Sequence, residues 1–139
     1  MNAPTRRPLA GGSLKPFRRP WLWVALWCLG IAAVVWFSLV PPDDLPPVPE
    51  GSDKIEHFLA YALLAAGAVQ LFARRASLLS ACVALVLLGI AMEYLQGRTG
   101  LGRSMDPMDA LANTLGVLTG LAILFTPLRD ALLRMDRRR

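Results

Sequence analysis

His57 follows Asp53, Lys54 and Glu56 at the head of an apolar run and is itself followed by Tyr61. An imidazole one turn into a helix gains nothing from the dipole as a cation, so it should be neutral and available as donor, general base or metal ligand. Asp53, His57 and Tyr61 are spaced by four, which stacks them on one helix face. Asp53 as N-cap with Glu56 at the third helical position would also make a capping box that needs no chemistry. Glu93 and Gln96 end a later run one turn apart. A carboxylate in the last turn of a helix faces the negative end of the dipole, so Glu93 should be protonated or paired with a cation. Lys54, Arg98 and Arg103 are the cations on that side, and a purely structural ion pair is the alternative.

A third group lies beyond a glycine- and arginine-rich loop. Asp106 as N-cap, Pro107 at the first helical position and Asp109 at the third form a helix start that could account for both aspartates. Capping leaves Asn113 unexplained, one turn deeper on the face of Asp109. Gly116 and Gly120 continue that series, which lets a neighbouring backbone come close while Asn113 bonds across the interface. Two chemistries fit the whole set. Arg98 and Arg103 beside helix N-termini would suit a phosphate or carboxylate, whereas His57, Glu93, Asp106 and Asp109 could hold a divalent cation, the one candidate cofactor. There is no glycine-rich phosphate loop after a strand, no His-Glu-x-x-His and no serine with an evident base.

The elements that must position these residues are membrane spans. The chain has 139 residues, 55% of them hydrophobic, and a mean hydropathy of +0.45, too apolar for a soluble domain of that size and with room for one bundle. Four apolar runs, about 21–40, 55–72, 76–96 and 107–125, are spans of near-helical crossing length, the second and fourth close to the short limit. The first carries no charge and ends in Phe37-Ser38-Leu39-Val40, unlike the small-residue end of a cleaved signal peptide. Connector 41–51 is acidic and proline-rich and should lie extended, while the turn at Arg74-Arg75 is short enough to make its flanking spans antiparallel neighbours.

Basic residues give the orientation. Twelve of fifteen lie before the first span, between the second and third, or after the fourth; Lys54, Arg98 and Arg103 are the exceptions. Both termini are therefore expected in the cytoplasm and the polar cluster at the outer leaflet. This topology explains a pI of about 10 without nucleic acid. Segments 1–19 and 127–139 read as basic cytoplasmic arms flanking a membrane domain at 20–126. Cys28 and Cys82 fall inside apolar runs as packing residues.

Asp53-Lys54-x-x-His57-Phe58-x-x-Tyr61, then Glu93-x-x-Gln96, then Arg103-x-x-Asp106-x-x-Asp109-x-x-x-Asn113-x-x-Gly116 resembles the VanZ-like family of small bacterial membrane proteins, over about residues 50 to 125. The resemblance implies an all-α, multi-pass protein of the bacterial inner membrane associated with the cell envelope and with low-level resistance to the glycopeptide teicoplanin. The binding expectation is a pocket for an envelope lipid, a lipid-linked cell-wall intermediate or a lipophilic glycopeptide. Arg98, Arg103 and Lys54 would grip the head group, Glu93 and Asp109 would position them, and Asp53, His57, Tyr61, Gln96, Asp106 and Asn113 would complete the lining. The competing expectation is a hydrolase or transferase acting on a lipid phosphate, with His57, Glu93 and Asp109 as candidate catalytic residues. A four-span multidrug exporter is disfavoured because the first span lacks an embedded acid.

The topology is directly testable. With Cys28 and Cys82 replaced by alanine, single cysteines at Ser52 and Ser77 should react with an impermeant thiol reagent from opposite faces of the membrane. Labelling of both from one face would overturn the four-span arrangement.

Overall fold

The computed structural model describes residues 12–47, 49–100 and 102–138; Arg6, Arg7 and Arg139 of the expected basic arms lie outside them. The described residues fold as helices α1 (Pro20–Leu39), α2 (Ser52–Leu71), α3 (Arg75–Thr99), α4 (Pro107–Leu121) and α5 (Ala131–Arg138), with short 3-10 turns at Pro42–Asp44, Ala122–Phe125 and Pro127–Asp130. Among the described residues, three segments are long and apolar enough to cross a membrane: α1, α3, and the run Pro107–Phe125 formed by α4 and its 3-10 extension. α2 matches α1 in length, but Asp53, Lys54 and Glu56 make its first turn too polar to count with them.

Helix boundaries follow local chemistry. Pro20 occupies the first turn of α1, where its missing N–H costs nothing, and Pro41-Pro42 stops the helix. α4 begins as the sequence suggests, with the Asp106 side chain accepting from Met108 N at 2.8 Å and Pro107 following the cap. α2 does not. Its N-cap is Gly51 at φ 84°, a left-handed conformation that glycine adopts without a Cβ clash, and Asp53 lies inside the first turn. Asp53 is thereby released from capping.

α2 is the central helix, packed against α1, α3 and α4. Its closest neighbour is α4. A Cβ placed on Gly116 would lie 2.3 Å from the Phe58 carbonyl oxygen, and one on Gly120 2.2 Å from that of Ala62. The two backbones are therefore in direct contact, which only glycine permits. His57 beside Asn113, Phe58 beside Gly116 and Ala62 beside Gly120 ascend together, so α2 and α4 run parallel. Gly89 of α3 faces Asn113, and Glu93 beyond it reaches Asp106; α3 is antiparallel to both. α1 is antiparallel to α2, with Trp27 seated on Gly67 and donating from Nε1 to Leu64 O at 2.8 Å. The bundle thus alternates direction from helix to helix around a core of Tyr61, Leu64, Ala65, Ala68, Val69, Leu78, Cys82, Leu85 and Val117.

The described parts of the segments read as cytoplasmic arms, 12–19 and 127–138, are docked at one end of this bundle. Lys15 N donates to Leu71 O and Ala73 N to Ser13 O, each at 2.8 Å, and Lys15 Nζ reaches Val69 O at 2.7 Å and Asp130 at 2.9 Å. Gln70 donates to Leu128 O and accepts from Leu132 N. Asp136 on α5 is buried, accepting from Trp23 Nε1 at 2.8 Å and from Arg18 N. These bonds hold the Asp136 carboxyl below the ordinary carboxylate range, the Trp23 donor foremost. The 127–138 stretch is helical, and α5 carries polar and apolar residues on opposite faces.

The α2–α4 contact predicts the packing response. Gly116→Val should lower stability in detergent by about 1–3 kcal/mol or more, because a backbone carbonyl cannot yield as a side chain can. Gly30→Ala, whose added carbon would lie 3.4 Å from a Leu64 methyl, should shift it by under about 1 kcal/mol. Equal melting temperatures for the two variants would refute a backbone-contact interface.

Candidate functional site

At the end of the bundle opposite the docked arms, the start of α2, the end of α3, the loop after it and the start of α4 converge. Lys54 sits at their centre. Its Nζ donates to Asp106 Oδ2 at 2.6 Å and to Asp109 Oδ1 at 2.9 Å. Lys54 is half-exposed and Asp109 nearly buried, so the lysine supplies the charge that makes burying that aspartate tolerable. Asp106, more exposed, is held below the ordinary carboxylate range by its hydrogen bond from Lys54, assisted by Met108 N.

His57 lies one turn along α2, its side chain nine-tenths buried. Nδ1 stands 3.1 Å from Asn113 Oδ1. Nε2 faces Asp53 Oδ1 at 3.6 Å and Asp109 Oδ2 at 4.0 Å, both beyond ordinary hydrogen-bond range. Asp109 thus divides its two oxygens, one for Lys54 and one toward the imidazole. Among the described residues, three buried side-chain atoms here have no hydrogen-bond partner: Tyr61 OH, Glu93 Oε1 and Asn113 Nδ2.

Of the two states expected for Glu93, protonated or paired with a cation, the described residues do not show the second. Its Oε2 accepts from Asp106 N at 3.3 Å, so the carboxylate at the end of α3 meets the positive start of α4, and the two helix termini compensate each other. The lysine is engaged by the aspartates instead. Gln96 and Arg103 also have a duty that spacing did not reveal. Gln96 Nε2 donates to Ser38 O at 2.7 Å and Arg103 Nε to Val40 O at 3.1 Å. These are terminal carbonyls of α1, without partners inside their own helix.

A cavity of about 810 Å³ opens beside this cluster. Its polar wall contains Asp53, Glu56, His57, Tyr61, Gln96, Arg103, Asp106 and Asp109; its apolar wall is Ala33, Val34 and Phe37 of α1, Ala60 of α2, and Leu45, Pro46 and Pro47 of the connector. Lys54, Glu93 and Asn113 bond to residues of the polar wall without lining the cavity themselves. Arg98 is outside: it is exposed, with its guanidinium 5.0 Å from the Tyr94 ring centroid, because the last turn of α3 carries it away from the Glu93–Gln96 face. Of the three cations expected to grip a head group, Lys54 is committed to two aspartates and Arg103 alone lines the cavity. The α1 and connector residues were missed, since an uninterrupted apolar run carries no signal of which face borders a cavity. Glu56, expected only as a capping partner, also lines it.

No family model matches this chain, and neither a known curated protein nor a solved structure is significantly similar to it.

The Lys54–Asp109 pair makes a quantitative prediction. Lys54→Met leaves a buried carboxylate without its donor and should cost ~1–3 kcal/mol of stability, the penalty for an unsatisfied buried group. The double variant Lys54→Met/Asp109→Asn should recover much of it. Additive losses in that cycle, measured by thermal unfolding in detergent, would mean that the two side chains do not act as a pair.

Proposed function

We propose that this is a four-span protein of the bacterial inner membrane, VanZ-like, with both termini cytoplasmic and its cavity open to the outer leaflet, where it binds the head-group end of an amphiphile. Three apolar helices support a multi-pass membrane protein. The parallel course of α2 beside α4 supports the fourth span, since α2 accompanies a membrane-length helix over the same depth. Twelve cytoplasmic basic residues against three support the orientation.

The observation that carries the functional reading is the two-sided character of the cavity. Ligand sites are usually ~300–1,000 Å³, and this one, at about 810 Å³, sets an apolar wall from α1 against ionisable groups from α2 and α4. That volume takes a polar head and the first part of a chain, leaving the rest of the tail in lipid. The ligand class is an envelope lipid, a lipid-linked cell-wall intermediate or a lipophilic glycopeptide, all of which join a polar head to an apolar tail. Arg103 is the cation facing an anionic group, with Gln96, Tyr61 and His57 as hydrogen-bonding neighbours.

Photocrosslinking in nanodiscs with a diazirine-bearing polyprenyl phosphate, with teicoplanin as competitor, tests this. Crosslinks should map to Val34, Phe37 and Ala60, and Val34→Trp, which fills the apolar wall, should weaken labelling about tenfold, the equivalent of ~1.4 kcal/mol. Labelling confined to the exposed face of α3 at Leu79, Val83 and Leu87 and indifferent to Val34→Trp would sink the binding reading. Release of inorganic phosphate from the probe would convert it to the hydrolase reading.

A further inference from the structure

We infer that Asp53, His57 and Asp109 form a site for one divalent first-row cation, of the Zn²⁺ or Mn²⁺ type, on the polar wall of the cavity. One donor atom from each of the three lies within 4.8 Å of the other two. First-row cations hold nitrogen and oxygen ligands at ~2.0–2.2 Å, so donors around one ion stand roughly 3–4 Å apart. The 3.6 Å and 4.0 Å separations from Nε2 match that spacing. Asp53 is more than half exposed and free of capping duty, so a rotation of its side chain completes the closure.

The independent observation is the placing of the imidazole. His57 is nine-tenths buried, its Nδ1 is 3.1 Å from Asn113 Oδ1, and its Nε2 faces two carboxylate oxygens at distances too long for a hydrogen bond. Two carboxylates gathered round a buried ring nitrogen without bonding to it leave a gap that suits a cation. A carbonyl oxygen beside the other ring nitrogen is also the usual second-sphere support for a metal-bound imidazole. Asp109 is prepared in the same way, because Lys54 takes Oδ1 and leaves Oδ2 for the site. Three aspartates converge there with a single lysine, leaving an excess of negative charge that suits a dication. One imidazole and two carboxylates favour a borderline cation over Ca²⁺.

The set differs from the one the sequence suggests. His57 and Asp109 belong to it, and Asp53 replaces Glu93 and Asp106, which are turned to the start of α4 and to Lys54. All three ligands line the cavity, so the remaining coordination positions face its interior. Resting on the amphiphile-binding reading, the cation then provides the attachment point for an anionic head group beside Arg103.

The full chain, purified in detergent, stripped with EDTA and titrated with Zn²⁺ and separately Mn²⁺, should bind one ion per chain by metal analysis and calorimetry. His57→Ala and Asp109→Asn should abolish binding, Asn113→Ala should weaken it 10- to 100-fold as a second-sphere change, and Asp43→Asn in the connector should bind like the parent. Should a core variant fail to fold, Asp53→Asn on the exposed first turn carries the same test without disturbing packing, and must weaken binding. An unliganded parent protein, or stoichiometric binding unchanged in Asp53→Asn, overturns the site. Polyprenyl phosphate crosslinking is then compared with and without the bound ion. Crosslinking at Val34 that persists after EDTA refutes the attachment role while leaving the amphiphile reading intact, whereas metal binding without any crosslinking at Val34 refutes that reading alone.

Discussion

The direct backbone contact of α2 with α4 at Gly116 and Gly120 is the constraint on which the rest of the molecule depends. In lipid, helices gain little from hiding apolar surface, so close approach and dispersion must hold them together. With Phe58 and Ala62 carbonyls against the glycines, the two helices are fixed in parallel and in register. Register then places Lys54 beside Asp109 and His57 beside Asn113. A one-turn slip of about 5.4 Å would separate every one of these pairs.

Helix ends account for the polar residues around that contact. Each terminus leaves backbone groups without internal partners, and in a low-dielectric setting they must be met by side chains. Glu93 meets the start of α4, and Gln96 and Arg103 meet the end of α1. The same bonds shape the cavity. By tying α1 to α3 and to the following loop, they hold an apolar helix across from ionisable groups that it would otherwise have no reason to approach.

α1 itself is fastened chiefly at its ends and at one point between. Ser38 is its single buried residue. At the other end, Trp23 is bonded to Asp136, Phe17 packs near it with ring centroids 6.4 Å apart, and Lys15 pins the preceding strand-like segment to the end of α2. Trp27 on Gly67 is the anchor between. The wall lined by Ala33, Val34 and Phe37 therefore lies between the Trp27 anchor and the bonded Ser38–Val40 end, with Val34 also packed against the core.

Local pattern was enough for the helices and for part of the site. A charge-free run bounded by prolines marked α1, a long apolar run between Arg74-Arg75 and the glycine- and arginine-rich loop marked α3, Asp106-Pro107 marked the start of α4, and the spacing of four placed Asp53, His57 and Tyr61 on one face, as the cavity lining has it. The glycine series after Asn113 pointed to close packing without naming the partner. Which charge meets which was decided only by tertiary structure. Glu93 found a helix N-terminus in place of a cation, Lys54 was taken by two aspartates, Arg98 fell outside, and α1 with the proline connector became half of the cavity. The physical reason is one of range. Hydropathy, capping and periodicity act over a few residues of chain, whereas ion pairing and desolvation act through space and depend on which backbones the glycines allow to touch.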